Sequence, residues 1–159
     1  MMAARAPVLV IAVGNPDRGD DALGPLLADR LAALDLPNVE VLVDFQLQVE
    51  HALDVTDREL VIFVDAGIDT PAPCEVRAVA VRETFAHTTH ALEPPAVLAT
   101  CERVGVPLPQ HAVMLSVRGD CFALGAELSQ SARTRLEAAW ATLLKLCRTR
   151  TVCTPARIA

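Results

Sequence analysis

Apolar and polar residues are distributed along the chain in blocks that predict strands and helices in alternation. Two uninterrupted apolar runs, at residues 8–13 and 60–64, are typical of central strands buried on both faces of a parallel sheet. Further strands are predicted at residues 39–43, 75–81 and 112–117, the run at 75–81 alternating like a half-exposed edge strand. Helices are predicted at residues 23–34, 49–55, 94–104 and 129–147, the last with Ser129 as its N-cap. This alternation predicts an α/β fold with a mostly parallel sheet covered by helices on both faces.

The composition favours a single folded domain. The 159 residues are 52% hydrophobic, enough to bury a core, and residues 1–148 are predicted to form one domain, with a tail at 149–159 that lacks periodicity. The chain has only four Phe, one Trp and no Tyr, and its net charge is −6. Both features argue against a nucleic-acid-binding surface, and the charge also argues against binding to an anionic membrane.

Hydrophobic runs and cysteines indicate a cytoplasmic protein. No run approaches the roughly 20 residues of a membrane-spanning helix, and the first apolar run is too short for a signal peptide. The five cysteines are scattered, odd in number and form no Cys-x-x-Cys pair. This pattern favours reduced thiols over a disulfide framework or a zinc site.

Acidic residues and a histidine follow three of the predicted strands. Asp20 and Asp21 come after the first strand, Asp65 directly follows the strand at 60–64, and His90 lies in the loop after the fourth strand. Because the carboxyl ends of parallel strands meet at one edge of the sheet, these side chains can converge there. Two carboxylates and one imidazole suit a borderline divalent ion such as nickel or zinc, so the sequence predicts a metal-binding cleft.

The same residues also have structural explanations, which the sequence leaves open. Asp20 or Asp21 could cap the following helix, and one could do so while the other points into the cleft. Asp65 has no helix directly behind it, and a buried charge needs a partner or a metal. His51 and His111 have no comparable setting and are interpreted as structural or exposed.

The glycines between Gly14 and Gly24 do not match a phosphate-binding loop. The segment contains neither Gly-x-Gly-x-x-Gly nor Gly-Lys followed by Ser or Thr. Its two adjacent carboxylates would repel a phosphate unless a cation lay between them. The chain also lacks the Gly-x-Ser-x-Gly motif of a serine nucleophile.

Five motifs occur in order between Val8 and about Leu146. They are Gly14-Asn15-x-x-x-Gly19-Asp20-Asp21-x-x-Gly24-Pro25, Asp44-Phe-Gln-Leu-Gln-Val-Glu50, Leu60-Val-Ile-Phe-Val-Asp65-Ala66, His90-Ala91-Leu92 and Gly125-Ala-Glu-Leu-Ser129. The ordered set resembles the motifs of the hydrogenase maturation proteases. These endopeptidases trim the C-terminus of the nickel-iron hydrogenase large subunit.

The resemblance implies a fold, a site and a substrate. It implies a three-layer sandwich with a twisted five-stranded sheet, and it places the family's three metal-contacting, catalytic positions on Asp21, Asp65 and His90. His87, three residues earlier, could substitute for His90. In such an enzyme the nickel is supplied by the immature large subunit, and no organic cofactor is expected. Whether the ion activates water, polarises the scissile carbonyl or only positions the substrate stays open at this point.

Three functions fit these expectations. The first is an endopeptidase that removes a C-terminal peptide from the nickel-loaded precursor of a hydrogenase large subunit. The second is a non-catalytic nickel-binding chaperone or delivery module that uses the same acidic and histidine residues. The third is a small-molecule metallohydrolase, which would need a deeper apolar pocket. Turnover of a nickel-loaded precursor separates the first from the second.

Overall fold

The computed structural model describes residues 4–81 and 92–150 of the chain. The strands in these ranges are β1 Val8–Val13, β2 Val39–Asp44, β3 Leu60–Gly67, β4 Cys74–Ala78 and β5 His111–Arg118. The helices are α1 Leu23–Ala32, α2 Ala52–Val55, α3 Pro94–Val104 and α4 Gln130–Thr149. Short 3-10 turns at Gly19–Ala22 and Val49–His51 lead directly into α1 and α2.

The strands form one sheet in the order β2-β1-β3-β5-β4. Neighbouring strands run parallel except for β4, which is antiparallel to β5 at one edge. β1 and β3 lie inside the sheet because their apolar residues are buried on both faces. The predicted mostly parallel α/β fold and its edge strand are confirmed, although β4 ends at Ala78 and not at residue 81.

Alternate side chains of the central strands pack into two separate apolar layers. On one face, residues such as Val10 and Ile62 pack with apolar side chains of α1 and α4. On the other face, residues such as Ile11 and Phe63 pack with side chains of α2 and α3. The sheet therefore lies between two helical layers, because successive side chains of a strand point to opposite faces.

β3 is three residues longer than predicted, since β5 continues to pair with it beyond Val64. Asp65 pairs with Ser116, and Gly67 pairs with Arg118. Asp65 is therefore a strand residue, and the prediction that it directly follows the strand is wrong in this detail. The pleat of the strand directs its side chain to the same face as that of Phe63, toward α2 and α3.

α4 is the longest helix and begins as predicted. Ser129 is its N-cap, and the Ser129 hydroxyl accepts a hydrogen bond from the Ala132 N–H at 3.2 Å. The helix ends at Thr149. Within residues 4–81 and 92–150, no helix is both long and apolar enough to cross a membrane.

Arg58 fixes the amino-terminal end of the sheet. It is 3% exposed, and its guanidinium donates to the carbonyls of Asp54 at 3.0 Å and Ala6 at 2.8 Å and pairs with Glu40 at 2.7 Å. We expect Arg58→Met to lower the free energy of unfolding by about 2–3 kcal/mol, because partly buried acceptors lose their donor. Urea unfolding followed by circular dichroism measures this change. Arg103→Met, on the exposed last turn of α3, should change it by less than about 0.5 kcal/mol, and equal losses in both variants would contradict the role of Arg58.

Candidate functional site

A cleft of about 870 Å³ opens on the α2 and α3 side of the sheet, toward the carboxyl ends of the parallel strands. Its floor includes a polar row across three strands, formed by Asp65, Ser116 and Glu75, in which Ser116 pairs with both other residues. The adjacent row is formed by Phe63, Met114 and Arg77. This end of an open α/β sheet is where ligands usually bind, and the cleft is large enough for a peptide segment or a small molecule.

Asp21 enters the cleft from the 3-10 turn that precedes α1. Its Oδ2 atom accepts a hydrogen bond from the Asn15 N–H at 2.8 Å. Asn15 in turn accepts one from the Asp17 N–H at 2.9 Å. The turn after β1 therefore holds the Asp21 carboxylate through a single backbone donor and leaves its other oxygen without a described partner.

Gly14 and Gly24 allow close packing between β1, the turn that follows it and the start of α1. Gly14 has φ +148°, and a Cβ atom there would collide with the Asp21 carbonyl oxygen. A Cβ atom at Gly24 would lie 2.5 Å from the Val13 carbonyl oxygen. Both positions exclude side chains because the turn and the start of α1 lie directly against β1.

Asp65 shares the cleft with Asp21 and interacts with it electrostatically. Burial raises the pKa of Asp65, the hydrogen bond from the Ala66 N–H opposes this rise, and the negative charge of Asp21 adds to it, so that the pKa lies at about 7. That hydrogen bond reaches Asp65 Oδ1 at 2.8 Å. A bound cation would favour the ionised form of Asp65, which burial and the neighbouring charge of Asp21 disfavour. The structure thus brings two of the three predicted site residues together.

His90, the third predicted site residue, and His87, its alternative, lie outside the described residues. Leu92 and Glu93, the first described residues after that segment, line the same cleft. Leu92 also forms a β-bridge with Leu47, which follows β2. In the two described ranges, no group of three His, Cys, Asp or Glu side chains is arranged to hold a metal ion.

Asp20 has a different role from the one that local sequence suggests. Neither Asp20 nor Asp21 caps α1, whose N-cap is Ala22 without a side-chain hydrogen bond, so the capping hypothesis is wrong. The 3-10 turn continues into α1 and occupies the place where a capping residue would lie. Instead, Asp20 is completely buried and accepts hydrogen bonds from the loop after β5 and from Ser129.

These hydrogen bonds keep Asp20 ionised. Burial by itself raises the pKa of Asp20, but the N–H donors of Asp120, Ser129 and Cys121, together with the Ser129 hydroxyl, outweigh burial and hold the pKa below its ordinary value. The carboxylate is therefore a structural anion at the amino-terminal end of α4. No local sequence pattern indicates this role, because the hydrogen-bond partners of Asp20 are about 100 residues away in the sequence.

The cleft contains further charged residues that the sequence analysis did not single out. Besides Asp21 and Asp65, the charged lining residues in the described ranges are Asp69, Glu75, Arg77 and Glu93. Arg77 pairs with Glu75 at 2.9 Å, so the other carboxylates give the cleft a negative potential that favours a cation. The alternation at 75–81 could have indicated Glu75 and Arg77, since it places both on one face of a strand.

The two described histidines are structural or exposed, as predicted. His51 Nδ1 accepts a hydrogen bond from the Gln48 N–H at 2.8 Å, and His51 Nε2 lies 3.5 Å from Asp44 Oδ2. His51 thereby fixes the turn that leads into α2. His111 is exposed at the start of β5, at the other end of that strand from the cleft.

Comparison with known proteins identifies the fold. No family model and no curated protein matches the chain, but solved structures do. The endopeptidase HybD from Escherichia coli superposes with a TM-score of 0.70 at 22% identity, over 92% of this chain and 94% of that one. The maturation protease HycI from Thermococcus kodakarensis KOD1 gives a TM-score of 0.68 at 23% identity, over 92% and 96%. The chain has the fold of the hydrogenase maturation proteases.

The hydrogenase maturation protease fold covers nearly the whole of both chains in each comparison. The hydrogenase 2 maturation peptidase from Thaumarchaeota archaeon SCGC_AB-539-E09 matches at 26% identity with a TM-score of 0.63, over 89% of this chain and 97% of that one. The resemblance inferred from the ordered motifs is thus confirmed at the level of the fold.

Proposed function

We propose that this chain is an endopeptidase that removes a C-terminal peptide from the nickel-loaded precursor of a nickel-iron hydrogenase large subunit. The observation that carries this proposal is the pair of carboxylates, Asp21 and Asp65, in a cleft of the fold that solved hydrogenase maturation endopeptidases have. The ordered motifs of the sequence support the same assignment.

In this proposal Asp21, Asp65 and His90 contact the nickel ion of the substrate, with His87 as the alternative to His90. Two carboxylate oxygens and one imidazole nitrogen suit nickel, and three protein ligands leave coordination positions for groups of the substrate. The ion would neutralise two carboxylates that otherwise repel each other across the cleft. Because the nickel arrives with the substrate, the isolated enzyme is expected to contain little of it.

The proposed partner is the large-subunit precursor, and the proposed location is the cytoplasm. The negative potential of the cleft favours a segment that carries a bound cation. Phe45 and Ile68, which also line the cleft, are 70% and 56% exposed. Exposed apolar side chains beside a polar cleft are suited to contact with another polypeptide.

The test is incubation of the purified protein with nickel-loaded and nickel-free precursor, followed by denaturing gel electrophoresis. We expect the loaded precursor to become shorter and the nickel-free precursor to stay intact. Shortening of the nickel-free precursor would overturn nickel recognition. Stoichiometric transfer of nickel to this protein without cleavage would instead favour a nickel-delivery module.

A further inference from the structure

The buried carboxylate of Asp20 joins two segments that are distant in sequence. It accepts hydrogen bonds from the N–H groups of Asp120 at 2.7 Å, Ser129 at 2.8 Å and Cys121 at 3.1 Å, and from the Ser129 hydroxyl at 2.8 Å. It does not line the cleft. A carboxylate that is fully enclosed and saturated in this way fixes the relative position of the segments that it joins.

The backbone of the turn that carries Asp20 and Asp21 is held by the same loop after β5. The Asp20 N–H donates to the Cys121 carbonyl at 2.7 Å, and the Gly19 N–H donates to the Ala126 carbonyl at 3.1 Å. By contrast, the side chain of Asp21 has one described hydrogen bond, from Asn15. The position of the Asp21 carboxylate therefore depends on the backbone of the turn, which is hydrogen-bonded to the loop after β5.

The network extends from Asp20 toward the segment that follows Asp65. Asp120 accepts hydrogen bonds from Arg135 at 2.7 Å and Arg118 at 3.3 Å. Arg118 also donates to the carbonyl of Thr70 at 3.1 Å, in the loop after β3. One set of hydrogen bonds thus connects the turn that bears Asp21 with the loop that follows the strand bearing Asp65.

From this geometry we infer that Asp20 is a positioning residue, which holds the Asp21 carboxylate at the correct place opposite Asp65. The kinetic part of this inference rests on the proposed endopeptidase function, since it concerns the same cleft. A carboxylate that only stabilised the fold could be weakened without changing the rate per folded molecule. Weakening a positioning residue lowers this rate, because small displacements of a catalytic group reduce the rate strongly.

The test variant is Asp20→Asn, which keeps the size of the side chain. One of the two terminal atoms becomes an NH₂ group that must face an N–H or O–H donor, so the network cannot form in its native arrangement. We expect kcat for the nickel-loaded precursor to fall about tenfold or more per folded molecule, with KM within about twofold. A crystal structure of the variant should show the Asp21 carboxylate displaced from the Asn15 N–H.

The matched control is Arg58→Met, which lowers stability at the opposite end of the sheet. At a temperature at which both variants are fully folded, Arg58→Met should have the kcat of the wild type.

Ser129→Ala removes one hydrogen-bond donor to Asp20 and replaces Asp20→Asn as the test variant if Asp20→Asn does not fold. For Ser129→Ala we expect a loss of about threefold in kcat. Wild-type kcat and an undisplaced Asp21 in the folded variant would overturn the inference. If the wild-type protein leaves the precursor intact, the endopeptidase proposal fails, and the position of Asp21 in the crystal structure still decides the positioning role.

Discussion

Asp21→Asn is expected to reduce processing of a nickel-loaded large-subunit precursor by about 1,000-fold or more. The change removes one negative charge from the cleft, and loss of an ionic ligand costs several kcal/mol of interaction with a divalent cation. The fold should be preserved, because the asparagine carbonyl oxygen can still accept the hydrogen bond from the Asn15 N–H. The expected result is a stable, folded protein that does not cleave.

The rate of processing is measured from the change in mobility of the large subunit on a denaturing gel over time. Asp17→Asn is the matched control, since Asp17 lies in the same turn, is exposed and does not line the cleft. Both substitutions remove one charge from one short segment, so a general electrostatic effect would affect both. Processing by Asp21→Asn at the rate of Asp17→Asn would exclude Asp21 from the site.

The fold could be predicted from local pattern because its signals are local. An apolar run such as Val8–Val13 predicts a strand that is buried on both faces of the sheet. The alternation of such runs with helical segments implies a parallel sheet between two helical layers. The convergence of Asp21 and Asp65 follows from the same rule, since carboxyl ends of parallel strands share one edge. The extension of β3 to Gly67 was not predictable locally, because it depends on pairing with β5.

The remaining parts of the site depend on contacts between distant segments. Glu75 enters the cleft because β4 is the antiparallel neighbour of β5, and strand order is not encoded in any local period. Asp20 was interpreted as a possible helix cap, since an acidic residue before a helix usually has that role. The structure gives it partners in the loop after β5, and no spacing rule connects a residue with donors about 100 positions away.

The ionisation of Asp65 links the cleft to the stability of the protein. In the folded state burial and then the charge of Asp21 raise the pKa of Asp65 from its ordinary value of 3.8 to about 7. Between these two pH values the folded protein holds a proton that the unfolded chain has lost. Below pH 3.8 the group is protonated in both states and does not change the free energy of unfolding. As the pH rises from 3.8 toward 7, the free energy of unfolding falls, because the folded state has to retain this proton.

Asp65→Asn is expected to stabilise the metal-free protein at pH 8 by about 3–4 kcal/mol and to change stability little near pH 3, because it removes this titration. Urea unfolding of wild type and variant at a series of pH values measures the difference, which should grow between pH 4 and 7. Asp69→Asn, an exposed carboxylate of the same cleft, should show no such growth. A variant less stable than wild type at pH 8 would mean that the folded protein satisfies the Asp65 charge. The two carboxylates would then not be a site that depends on an incoming cation.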